Sequence, residues 1–104
     1  MRFLITGARG QLAKEFIKTL EKKGLDFVAL TKEELDISNL DRVYKTMKDV
    51  KPDVVINCAA YNLVDKAEGD FRDAFRVNSI GPYNLAIACK EVKAMLVHYS
   101  TDYV

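Results

Sequence analysis

The sequence predicts a doubly wound parallel α/β sheet, and three observations predict it. Four short apolar runs lack the alternation of a half-exposed strand, at residues 2–6, 27–30, 54–56 and 94–99. Stretches with helical spacing of apolar residues lie between them. A glycine-bearing turn follows the first run directly. Continuous apolar strands alternating with helices imply a sheet covered on both faces. The element order reads βαβαβαβ. Right-handed crossovers then suggest strand order 3-2-1-4, the first half of a doubly wound sheet, with the direction reversing between the first and fourth strands.

Arg2, Phe3, Leu4, Ile5 and Thr6 read as the first strand, buried and short. Gly7 to Ala13 read as a tight turn opening a helix, a G-x-x-G-x-x-A pattern that varies the dinucleotide-binding fingerprint. Gly7 makes the turn because a side chain there would crowd the backbone. Gly10 lets the main chain approach a pyrophosphate. Ala13 keeps the helix close to the strand. Free N–H groups at the helix start would face the phosphates, assisted by the helix dipole.

The first helix places Leu12, Phe16, Ile17 and Leu20 in one apolar stripe, with Lys14, Glu15, Lys18, Glu21 and Lys22 opposite. Gly24 is its stop. Phe27 to Leu30 form the second strand. Ser38 is the expected N-cap of a second helix, with Asp41 in its first turn. Leu40, Val43, Tyr44, Met47 and Val50 continue that helix until Pro52. Val54, Val55 and Ile56 form a β-branched third strand ending at Asn57. A polar loop leads to a helical region from about 71 to about 92. Gly81-Pro82 should kink it or divide it in two, since proline costs about 3 kcal/mol inside a helix. Ala94 to Tyr99 form the fourth strand, with Ser100, Thr101 and Asp102 at its carboxyl end.

Composition narrows the function classes. The 104 residues suit one domain, 49% hydrophobic and 30% charged. Sixteen basic and fifteen acidic residues leave a net charge of +1, which gives no support for a nucleic-acid surface. No apolar run approaches the roughly 18 residues that span a bilayer, so no membrane is expected. Met1 enters a strand directly, without a secretory leader, and a cytoplasmic location is the expectation. Cys58 and Cys89 read as buried free thiols. One histidine, His98, and two distant cysteines make no metal-ligand set. His98 reads as a packed or partly exposed imidazole rather than a general base.

Ligands of such sheets bind beyond the carboxyl ends of the strands. The loops there are Gly7–Leu12, Thr31–Ile37, Asn57–Ala60 and Ser100–Asp102. With these loops the chain resembles the extended short-chain dehydrogenase/reductase family, which has a Rossmann-like fold. The matching pieces are Thr6-Gly7-x-x-Gly10-Gln11-Leu12, Leu35-Asp36-Ile37-Ser38 and Lys51 to Tyr61. Further pieces are Val64-Asp65-Lys66-Ala67-Glu68, Asn78 with Gly81 and Asn84-Leu85-Ala86, and Ser100 to Val104.

The resemblance implies one NAD(P)-binding domain over residues 1–104. Gly7, Arg9, Gly10, Gln11 and Leu12 would hold the pyrophosphate. Asp36 and Ile37 would flank the adenine. Ala59, Ala60 and Tyr61 would line the path to the nicotinamide. Asn78 and Ser100 would support the site. Thr101 would be the catalytic hydroxyl that polarises a substrate carbonyl. The implied reaction is hydride transfer to the C4 keto group of a nucleotide-linked deoxysugar. Asn62-Leu63 stands where a small Thr-Ala pair is more usual.

The family's Tyr-x-x-x-Lys acid is not found in its place. Tyr44 and Lys48 have the spacing but lie between strands two and three. The polypeptide alone is therefore expected to be catalytically silent. Two alternatives share the turn: a non-catalytic, regulatory relative of the reductases, and a nucleotide-sugar epimerase or dehydratase fragment. Thr31-Lys32 closes the second strand, neutral then basic. Lys32 could pair with a 2′-phosphate, which Glu33 and Glu34 would oppose. The balance favours NADP(H), with NAD(H) also accepted. The edge at Leu96 to Ser100 is expected to take a second copy or a missing C-terminal part.

Overall fold

The computed structural model describes residues 1–59 and 80–98. The elements among them are β1 (Arg2–Thr6), α1 (Gln11–Lys23), β2 (Asp26–Leu30), α2 (Leu40–Val50), β3 (Val54–Asn57), α3 (Gly81–Val92) and β4 (Met95–His98). All three strand pairings are parallel, with Leu4 beside Val28 and Val55, and Val55 beside Leu96.

Successive side chains of a strand point to opposite faces, and the core divides accordingly. Leu4 and Val55 pack with Val43 and Met47 of α2 and with Leu85, Ala88 and Cys89 of α3. Ile5, Val54 and Ile56 pack with Ala13 and Leu20 of α1. The sheet is thus covered by α1 on one face and by α2 and α3 on the other. Unbroken apolar runs are what such double coverage requires.

The strand order is β2-β1-β3-β4, which corrects the expected 3-2-1-4. The third strand lies beside β1, not outside β2. Burial explains the choice. All four residues of β3 are buried, whereas β2 has none fully buried. An outer position would have exposed Val54, Val55 and Ile56 to water; the central position covers them, and β2 takes the edge. The direction therefore reverses between β1 and β3, and the crevice of such a sheet opens there.

Local capping follows ordinary rules with one displacement. Gly24 ends α1 in the left-handed region, φ 68°, as its sequence position suggests. The N-cap of α2 is Asn39, not Ser38: Asn39 Oδ1 accepts from the Arg42 N–H at 3.2 Å. Ser38 is occupied with Asp36, whose Oδ1 accepts from its N–H at 3.0 Å and from its hydroxyl at 2.7 Å. Pro82 sits in the first turn of α3, where its missing N–H costs no helical bond. At the amino end of the sheet, Arg2 joins three segments. It pairs with Asp26 at 2.9 Å and donates to the Val50 carbonyl at 2.7 Å, and its N–H reaches Asp53 at 2.8 Å.

Candidate functional site

The carboxyl ends of β1, β2 and β3 converge on the turn between β1 and α1. Gly7 has φ +66°, a conformation that costs an L-residue roughly 1–2 kcal/mol. A Cβ on Gly7 would lie 2.6 Å from both Cα and N of Ala59 and 2.7 Å from the Cys58 carbonyl carbon. The turn is thereby pressed against the end of β3. Its other side is fixed to β2, since the Ala8 N–H donates to the Leu30 carbonyl at 3.0 Å. The Gly10 N–H closes the turn onto the Gly7 carbonyl at 3.0 Å.

Gly10 is different. Its φ of −71° and ψ of 155° suit any residue. A Cβ there would meet only the Gly7 carbonyl oxygen, at 3.4 Å. The protein's own packing gives no reason for a glycine at this position. The adjoining start of α1 has no side-chain cap and no acidic residue in its first turn. α2, by contrast, is capped by Asn39 and has Asp41 in its first turn. Arg9, Gly10, Gln11 and Leu12 are all exposed around this uncapped end. Leu12 is thus exposed rather than completing the buried stripe. Ala13 is fully buried with Ile5, which brings α1 close to the sheet. A bare main-chain surface at a helix N-terminus suits an anionic group.

The segment after β2 borders this surface. Glu34 turns inward on its own loop: its Oε1 accepts from the Thr31 N–H at 2.9 Å and hydroxyl at 3.1 Å. Glu33 faces Arg9, 3.7 Å away. A backbone N–H and then the Arg9 charge hold its carboxyl below the usual range. Neither acid stands alone at the end of β2. Asp36 is half-buried and bound to Ser38. The Ile37 side chain lies in the core, 2.5 Å from where a Cβ on Gly81 would be, and its carbonyl accepts from Asn84 Nδ2 at 2.9 Å. Of the expected adenine-flanking pair, Asp36 is thus partly accessible, whereas Ile37 is buried and its carbonyl is held by Asn84.

The structure brings Gly7, Arg9, Gly10, Gln11, Leu12 and Ala59 together at one mouth. Ala60, Tyr61, Asn78, Ser100 and Thr101 lie outside the described residues, as do Asn62-Leu63 and the Val64–Glu68 stretch. Asn57 opens one of the expected ligand-side loops but has no assigned role, and Thr6, Asn84 and His98 are not among the expected site residues. Thr6 Oγ1 donates to Asn57 Oδ1 at 2.5 Å, and Asn57 Nδ2 lies 2.9 Å from His98 Nδ1. Their signal in the sequence is a polar residue closing each of three apolar strands. Among the described residues no cluster of metal-ligating side chains occurs, and no helix is long and apolar enough to cross a membrane.

A parallel sheet with helices on both faces and a glycine turn at its reversal point defines a Rossmann-like α/β domain. The chain belongs to the family described as the RmlD substrate binding domain, which it matches over residues 1–104. A dTDP-4-dehydrorhamnose reductase of Mycolicibacterium smegmatis is 47% identical over 103 residues, covering 99% of this chain and 31% of that protein. The spore coat polysaccharide biosynthesis protein SpsK of Bacillus subtilis is 38% identical over 103 residues, covering 99% and 36%. The chain thus spans about a third of the length of these relatives. The crystal structure of the Bacillus anthracis dTDP-4-dehydrorhamnose reductase in complex with NADP superposes with a TM-score of 0.87 at 42% identity, over 99% of this chain and 37% of that one. A Thermus thermophilus UDP-glucose 4-epimerase complex with NAD shares the fold, with a TM-score of 0.79 at 24% identity, over 90% of this chain and 35% of that one.

Proposed function

We propose that residues 1–104 form the NAD(P)H-binding domain of a dTDP-4-dehydrorhamnose reductase. The whole protein would reduce the 4-keto group of dTDP-4-dehydro-6-deoxy-L-mannose to give dTDP-L-rhamnose. One observation carries the cofactor half of this reading. The Gly10 position is open where the fold needs no glycine, beside a helix start that no side chain caps. A diphosphate lying across Gly7 and Gly10 would meet bare main chain there, and the unpaired N–H groups that open α1 at Gln11 and Leu12 would face it. The substrate half rests on the relatives, among them reductases 42–47% identical over nearly the whole of this chain.

The bound dinucleotide would supply a hydride to C4 of the sugar. The chain's own residues do the holding. Gly7 sets the turn, and Arg9, Gly10, Gln11 and Leu12 form the rim. Asp36, with Ile37 packed beneath it, borders the adenine end, and Ala59, Ala60 and Tyr61 the nicotinamide end, with Asn78 and Ser100 in support. Thr101 would donate a hydrogen bond to the carbonyl oxygen as it becomes an alcohol. That oxygen also needs a proton, which a threonine hydroxyl does not give up near neutral pH. The outer edge of β4 is where a further strand of a longer protein, or a second copy, would add.

NADP(H) is preferred to NAD(H) in this reading. The acids that would repel a 2′-phosphate are both turned elsewhere, Glu34 to Thr31 and Glu33 to Arg9. Calorimetric titration of the protein with NADPH and NADH tests both points. Binding of both with NADPH tighter is expected. A preference for NADH would overturn the cofactor choice, and no affinity for either would overturn the function.

A further inference from the structure

Thr6, Asn57 and His98 stand in one row across β1, β3 and β4, each beside the next in register. Thr6 and Asn57 are fully buried, while His98 is exposed. Asn57 Oδ1 accepts from the Thr6 hydroxyl at 2.5 Å and from the Ala59 N–H at 3.1 Å. Its Nδ2 lies 2.9 Å from His98 Nδ1.

The protons of this row can be arranged in one way. A peptide N–H only donates, so the end of the Asn57 amide that faces Ala59 must be oxygen. The other end is then NH2, which also only donates. His98 Nδ1 must accept, and the ring proton of the neutral imidazole sits on Nε2. A peptide two residues beyond β3 thereby selects the tautomer of a histidine on β4.

The same peptide backs the glycine turn. Ala59 N and Cα are the atoms a Cβ on Gly7 would strike at 2.6 Å. The Cys58 N–H is tied to the Thr6 carbonyl at 3.3 Å, so the segment is held to β1 as well. We infer that His98 is a positioning residue for the turn. Its Nδ1 orients the Asn57 amide, Asn57 holds the Ala59 peptide, and that peptide fixes the wall against which Gly7 lies. A side chain without an acceptor at position 98 leaves Asn57 Nδ2 without this partner and frees the amide to turn. Only the ligand-binding consequence rests on the proposed function; the tautomer and the hold on Ala59 do not.

His98 is the one histidine in the sequence, so its ring nitrogens give unambiguous signals in 15N NMR. At pH 8, a pyridine-type Nδ1 and a protonated Nε2 are expected. A proton on Nδ1, or the tautomer mixture of free imidazole, would overturn the inference without any variant being made. Two variants then separate positioning from bulk. His98→Asn places an amide oxygen close to the position of Nδ1; His98→Leu removes the acceptor. Exchange of the Ala59 amide should quicken about tenfold in His98→Leu, the equivalent of one hydrogen bond. It should return to within about twofold of the parent in His98→Asn. NADPH affinity should follow the same order. Equal exchange in parent and His98→Leu, or no rescue by His98→Asn, would overturn the inference. If the parent protein binds no dinucleotide, the proposed function falls, and tautomer and exchange still decide the part played by His98.

Discussion

Gly7 and Ala59 meet backbone to backbone: the space a Cβ on Gly7 would need is already taken by the Ala59 N and Cα, 2.6 Å away. The contact joins the first turn of the chain to the loop beyond β3 at the place where the sheet reverses direction. It also divides the two glycines of the motif into different kinds. Gly7 is required by the protein, and Gly10 is left unexplained by the protein's packing.

Alanine at the two positions should separate stability from binding. Gly7→Ala must bear a left-handed φ and a clash with backbone, so it should lose more than about 2 kcal/mol in urea unfolding. Gly10→Ala meets only one oxygen at 3.4 Å and keeps an allowed backbone. Its stability should stay within about 0.5 kcal/mol of the parent. Its methyl stands where the diphosphate would approach, and affinity for NADPH should fall about tenfold or more, or about 1.4 kcal/mol. Unaltered affinity in a folded Gly10→Ala protein would remove the diphosphate from this turn.

The local parts of this arrangement are legible in the sequence and the long-range parts are not. Apolar runs locate all four strands to within a residue or two, because a doubly covered strand must be apolar throughout. Gly7 and Gly24 are legible because the backbone they serve is local. Strand order is not, because β1 would accept Val54–Asn57 as a neighbour or leave it outside β2 with the same local pattern. Only the burial of the whole sheet selects the central place. For the same reason Thr6, Asn57 and His98 read as three separate strand ends until the register aligns them. The grip of Asn84 on the Ile37 carbonyl spans 47 positions and leaves no periodic trace.

The choice between two adjacent capping residues was also beyond the sequence, since serine and asparagine cap about equally well. Structure gives Asn39 the α2 cap and gives Ser38 to Asp36. Asn39→Ala should therefore lower thermal or chemical stability by about 1 kcal/mol. The same cap is intact in Ser38→Ala, which removes the 2.7 Å hydroxyl bond to Asp36 but leaves the Ser38 N–H bond in place. A smaller loss, about 0.5 kcal/mol, is expected there. The reverse order in denaturation midpoints would return the cap to Ser38.

Among the described residues, each helix ends on a left-handed residue: α1 on Gly24, α2 on Lys51 with φ 53°, and α3 on Lys93 with φ 61°. Lysine is strained in this region by about 1–2 kcal/mol. Glycine would relieve that strain, offset in part by its greater freedom in the unfolded chain and by a charge lost from the helix end. Lys51→Gly and Lys93→Gly should each stabilise by about 0.5 kcal/mol. Gly24→Ala should destabilise by about 1 kcal/mol through backbone alone, because nothing lies within 4 Å of the added methyl. Differential scanning calorimetry of the three variants checks the signs.

The two thiols should report burial through their pH dependence. Cys58 at the end of β3 is half-buried and Cys89 on α3 is buried. Burial raises the Cys58 thiol above its usual range and pushes Cys89 up to about 11, because the thiolate would lose its hydration. In the unfolded chain a cysteine ionises near 8.5. Between that value and about 11, the unfolded state sheds a proton from Cys89 that the folded state keeps. The contribution to stability is thus full below the unfolded value and is lost as pH rises through the folded one. Within that window each pH unit should remove up to about 1.4 kcal/mol, and Cys89→Ala should flatten the slope while lowering stability at neutral pH. In native protein at pH 8, a thiol reagent followed by absorbance should label Cys58 first and reach Cys89 only as the chain unfolds. Equal labelling rates at the two sites would mean that α3 leaves the sheet readily, and with it the Asn84 hydrogen bond that holds the Ile37 carbonyl in the core.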